Sequence, residues 1–63
     1  MNPYEHHEWI ATDKTLPNNG IIVETKIDDE SGSRNVQLLK RQGNLWLFPD
    51  GSMYVYYTPT HWR

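Results

Sequence analysis

Residues 44–58, NLWLFPDGSMYVYYT, decide the fold class. Two short runs rich in aromatic and β-favouring residues, 45–48 and 53–57, flank Pro49-Asp50-Gly51-Ser52. Pro49 presets φ for the first turn position, Asp50 can bond its own backbone, and Gly51 tolerates positive φ. Apolar runs joined by such a turn read as a β-hairpin. Within it Leu45 and Leu47 share one face, and Trp46 and Phe48 share the other. On the returning strand Met53, Val55 and Tyr57 oppose Tyr54, Tyr56 and Thr58.

Working back from the hairpin, residues 34–41, RNVQLLKR, alternate as a strand, and Gln42-Gly43 turns the chain into the hairpin. Residues 20–27, GIIVETKI, form another strand, with Ile21, Val23, Thr25 and Ile27 on one side. The connection DDESGS, 28–33, reads as a solvated loop. It lacks the alternating oxygen ligands of a calcium-binding loop. Asn19-Gly20 marks a turn, and residues 11–16 have room for one helical turn at most. Forward of the hairpin, Thr58-Pro59 breaks pairing, and residues 60–63 are expected as a short closing strand.

These elements predict an all-β domain spanning residues 1–63, with residues 1–8 flexible. It is a small antiparallel meander of four to five strands, either a strongly bent sheet or a partly open barrel of the SH3-like kind. With hairpin registers assumed, one face carries Ile21, Val23, Ile27, Val36, Leu38, Leu45, Leu47, Val55 and Tyr57. The other carries Ile22, Leu39, Trp46, Phe48, Tyr54 and Tyr56. A one-residue slip would exchange them. Tyr4, Trp9, Leu16 and Trp62 are candidates to cap the second face.

Composition narrows the function. The chain has 63 residues, no cysteine and a net charge of −2. No disulfide or thiolate metal site is available, and no apolar run approaches the length of a membrane span. The start, MNPYEHHEW, lacks the basic and apolar regions of a signal peptide, so a cytoplasmic protein is expected. The acids cluster in residues 1–30 and the bases in 31–63. His6 and His7 would point to opposite faces of a strand, so neither a metal nor another cofactor is expected. No Gly-rich phosphate loop or nucleophile elbow is present. A pairing of His61 with Asp50 or Glu24 is the only acid–base candidate, and no enzyme is expected.

The aromatics suggest recognition instead. Trp46, Phe48, Tyr54 and Tyr56 would form a contact platform, with Arg34 and Arg41 at its rim. Such residue types suit a protein partner. Stacking of single-stranded nucleic acid on the same aromatics, or self-association, are the alternatives.

Trp9-Ile10, then Leu16-Pro17 seven residues after the Trp, and a closing Thr60-His61-Trp62 resemble a family of small phage and prophage proteins, the domain of unknown function numbered 551. The two motifs bracket residues 9–62. Family members continue past the closing tripeptide with a Met-Pro-Leu-Pro-like tail, whereas this sequence ends at Arg63. The resemblance implies a phage or prophage origin and the cytoplasm of a bacterial host. It implies no assigned activity.

Overall fold

The computed structural model describes residues 8–63. The expected flexible start and the His6-His7 pair lie outside the described residues, apart from Glu8. Five strands form one antiparallel sheet: β1 (Ile10–Ala11), β2 (Ile22–Asp29), β3 (Gly32–Gln42), β4 (Leu45–Leu47) and β5 (His61–Trp62). Their order across the sheet is β1-β5-β2-β3-β4. The all-β class expected from the sequence is the one formed, and the sheet is open. Strands β2, β3 and β4 follow one another as a meander, while β5 returns to lie between β1 and β2.

The β2–β3 hairpin is the spine. Asp29 faces Gly32, Asp28 faces Ser33 and Ile27 faces Arg34. The strands therefore run into the stretch expected as loop, leaving Glu30 and Ser31 as the turn. Gly32 takes φ 106° there, a conformation that disfavours a Cβ. The Asp29 carboxylate caps the turn by accepting from the Ser31 N–H at 2.9 Å.

Near the turn the register would place Val23 opposite Leu38. It does not persist. Between Thr25 and Ile27 it shifts, because Asn35 and Val36 on β3 together face Lys26 on β2. Asn35 sits at φ 57°, the left-handed region that Asn tolerates better than most residues. Beyond this bulge Thr25 faces Gln37, Val23 faces Leu39 and Ile22 faces Lys40. The extra residue decides which of two consecutive leucines enters the core.

Opposed residues share a face. Val23, Leu39 and Trp46 form the buried core, with Phe48, Val55 and Trp62 packed against it. This corrects the expected division. Val23, Val55 and Tyr57 join Leu39, Trp46 and Phe48, whereas Ile22 and Tyr54 join Leu38, Leu45 and Leu47. The bulge moves Ile22 and Val23 relative to the β3 leucines, and the Leu47–Tyr54 bridge sets the faces of Tyr54, Val55 and Tyr57.

The core face is covered by two connecting segments. Residues 12–20 bring Pro17 into the interior, where its carbonyl accepts from Arg41 Nε at 3.0 Å. Trp62 Nε1 donates to the Thr15 carbonyl at 2.7 Å. Residues 53–60 cross from the β4 side towards β5, placing Val55 on the core and burying Pro59. The Thr12 hydroxyl donates to the Pro59 carbonyl at 2.8 Å.

The turn chemistry after β4 forms as expected. Gly51 N donates to the Phe48 carbonyl at 2.8 Å, and Asp50 Oδ1 accepts from Ser52 N at 2.9 Å. The returning strand is shorter than expected. It consists of a single bridge, Leu47 to Tyr54, with Val55 N donating to the Trp46 carbonyl. After Val55 the chain leaves the ladder because it must cross to the far side of β2 to form β5.

Candidate functional site

The face opposite the core divides into a charged half and an apolar half. In the charged half Trp9 is stacked between two cations. Lys26 Nζ lies 4.4 Å and Arg63 Cζ 4.1 Å from its ring centroid. Arg63 Nε also donates to Glu24 Oε1 at 2.8 Å, and Lys26 pairs with Asp28 at 3.1 Å. The bond to Lys26 holds the Asp28 carboxyl below the usual carboxylate range. Main-chain bonds in both directions between Arg63 and Glu24 fix this end against β2.

Trp9 and Trp62 thus anchor the ends of the chain, but on opposite sheet faces. Ile10 faces Trp62, and its neighbour Trp9 points the other way. Thr60 completes the anchor. Its hydroxyl accepts from Asp28 N at 2.7 Å and lies 2.8 Å from His61 Nδ1. His61 is thereby part of the terminal strand pairing, across the sheet from the Pro-Asp-Gly turn after β4 that holds Asp50.

The apolar half has no cover among the described residues. Ile22, Leu38, Leu45 and Tyr54 are each about half exposed, and Val36 lies beside them on β3. Lys40 runs between Ile22 and Leu47, with its amine end close to Gly51. Tyr54 meets Tyr56 edge-on, with ring centroids 5.7 Å apart and planes at 70°, and Tyr56 is 89% exposed. Beside them is a depression of about 340 Å³, lined by Leu45, Trp46, Tyr54, Val55, Tyr56 and Tyr57 among others. Its lining contains no carboxylate, histidine or cysteine. Such a surface can pack against an apolar or aromatic segment and offers no acid–base pair.

The residues expected to form one platform are split. Trp46 is 3% exposed and belongs to the core, and Phe48 packs against that core. Only Tyr54 and Tyr56 remain on the surface together. Arg34 makes a two-pronged bond to Asp29, at 2.9 and 3.0 Å. That pairing holds the Asp29 carboxyl below its ordinary range and raises the guanidinium above its own. Arg41 is half-buried and clamps the Pro17 and Gly43 carbonyls. Neither arginine rims the tyrosine pair as a free cation. The sequence pattern places Ile22 with Leu39 and Trp46, and Val36 and Leu38 with Val23. The bulge instead puts all three on the face opposite the core, since alternation alone is blind to it.

A second surface feature is an unpaired edge. Strand β4 pairs with β3 only over Lys40, Arg41 and Gln42. Arg41 and Gln37 direct their carbonyls towards β2, where they accept from Gly20 N and the Thr25 hydroxyl. By alternation Val36 and Leu38 direct their N–H and C=O groups away from β2, past the end of β4. Among the described residues nothing pairs with them.

Among the described residues, fold and surface together define a small open-sheet β domain with one face covered and the apolar half of the other bare. Compared with known proteins, the chain matches no family model, no curated protein and no solved structure. Among the described residues there is no cluster of three or more metal-ligating side chains. Nor is there, among the described residues, a helix long and apolar enough to cross a membrane.

Proposed function

We propose that this chain is a non-enzymatic binding protein that engages another protein through the bare sheet face. The observation that carries the reading is the apolar half of that face. Ile22, Leu38, Leu45 and Tyr54, each about half exposed, lie on one side of a single sheet, with Tyr56 beside them. Apolar exposure of this kind on one face marks interaction sites, and tyrosine is among the residues enriched at binding hot spots. The site residues of this reading are Tyr54 and Tyr56 from the expected set, joined by Ile22, Leu38 and Leu45. Trp46 and Phe48 support them from the core side.

The resemblance of the two end motifs to the phage and prophage family supplies a setting. The partner would be a host or phage protein in the bacterial cytoplasm, and binding would occlude or recruit it. The single-stranded nucleic-acid reading has less support. Arg34, Arg41 and Arg63 are held by Asp29, main-chain carbonyls and Glu24 respectively. Phosphate binding needs free cations beside the stacking rings.

A photo-crosslinking residue at position 56 tests the reading in bacterial cells. One discrete protein adduct is expected, lost on Leu38→Asp. No protein adduct, together with oligo-dT binding that weakens steeply with salt, would reverse the assignment.

A further inference from the structure

We propose that the free edge of β3 pairs antiparallel with the same edge of a second copy of this chain. The inference stands apart from the bare-face reading, because it concerns main-chain groups at the sheet edge and needs no foreign partner. Val36 and Leu38 direct their backbone donors and acceptors outward, where β4 has already ended. Their side chains are 54% and 55% exposed.

Monomeric proteins protect such an edge with lysine, proline or a covering loop. Residues 35–39, NVQLL, contain no charge and no proline. Of the two flanking charges, Arg34 is bound to Asp29 on its own hairpin, and Lys40 lies where β4 already pairs with β3. The strand is also its own complement. A two-fold axis through Gln37 sets Val36 opposite Leu38 of the second copy, and Leu38 opposite Val36. Both are pairs of the kind that exchange two main-chain hydrogen bonds. The four apolar side chains then meet on the bare face, as cross-strand neighbours do.

The pairing ends where it must. Lys40 is already paired with Leu47, so β4 blocks extension on one side. The opposite sheet edge, β1, has two residues and offers no comparable ladder. The contact is therefore isologous and closes at a dimer instead of propagating. An axis perpendicular to the sheet keeps both bare faces on the same side and joins them into one surface.

Sedimentation equilibrium on the purified chain tests this, with Val36→Lys, Leu38→Lys and Leu45→Lys alongside. These positions are exposed, and circular dichroism of each variant checks that it folds. The wild type is expected as a concentration-dependent dimer. Each β3 variant should raise the dissociation constant roughly tenfold or more, because a like charge is introduced twice per interface. Leu45→Lys, on the same face but off the edge, should leave it unchanged. A wild type that stays monomeric up to about 1 mM, the weak end of specific association, overturns the proposal. So does a dimer that Leu45→Lys disrupts and the β3 variants do not, since that would be a face-to-face contact.

Discussion

Leu38 and Leu39 are chemically identical and adjacent in the chain, yet Leu39 is fully buried and Leu38 is 55% exposed. Any strand puts neighbours on opposite faces. What differs here is the treatment of the two faces. On the Leu39 side, residues 12–20 and 53–60 supply Pro17, Val55 and Pro59 as cover, and Trp46 and Trp62 fill the space between. On the Leu38 side, Trp9 and its two cations occupy the charged half, and among the described residues nothing covers the apolar half. The choice between the leucines is made four residues away, where Asn35 and Val36 share one partner. Hairpin register is thus set twice, once by the turn at Glu30-Ser31 and again by the bulge.

The largest expected effect comes from reversing that second setting. Inserting one residue between Gln37 and Leu38 would move the leucines along by one position and set Leu38 opposite Val23. Core packing and the β3–β4 pairing would then demand opposite faces. A loss above about 3 kcal/mol, measured by urea unfolding, is expected for so large a disruption. A stable insertion variant with Leu38 buried would show that the register is free to slip.

Truncating the two leucines comes next. Leu39→Ala should cost about 2–5 kcal/mol, through lost burial and the cavity left behind. Leu38→Ala should stay within about 0.5 kcal/mol, as at exposed sites. Equal costs would mean that something covers the second face.

Asn35 itself is worth less than the register it helps to set. Asn35→Val should cost about 1–2 kcal/mol, because a β-branched residue at φ 57° is strained. Asn35→Gly should be close to neutral, and matched thermal melts of the two variants separate backbone strain from lost side-chain contacts.

The smallest effect is that of pH. Asp29, Asp28 and Asp50 all have carboxyls held below their ordinary range, by Arg34, Lys26 and the Ser52 N–H respectively. A depressed folded value means that the stabilisation is complete above the unfolded value and is lost as pH falls through the folded one. Thermal stability should therefore be unaffected by these groups between pH 5 and 8, and should decline only below about pH 4. All three are at the surface, so the decline should be shallow.

Much of this fold is legible in the residues. Alternation marks β2 and β3, Gly43 at φ 59° closes the short turn into β4, and Pro49-Asp50-Gly51 builds the next. The all-β class follows from these local signals. What stays hidden depends on long-range geometry. The bulge occupies an Asn rather than the Gly that would announce it. The strand expected at 53–58 shrinks to one bridge because Thr58-Pro59 must lead across the core face to β5. The insertion of β5 between β1 and β2 has no local marker, although both end motifs converge there. For the same reason the expected platform divides. Strand alternation with an assumed register assigns Trp46 and Tyr54 to one face, and they part because Tyr54 pairs with Leu47.

The bare face and the free edge meet along β3, where amide exchange reads them residue by residue. Hydrogen exchange followed by NMR, at a concentration low enough to keep the chain monomeric, tests the account most directly. The Gln37 and Leu39 amides, directed towards β2, should be protected. Those of Val36 and Leu38, directed outward, should exchange at rates near those of an unpaired chain. Uniform protection across 36–39 in the monomer would contradict the account, because it would mean that the edge is already covered from within.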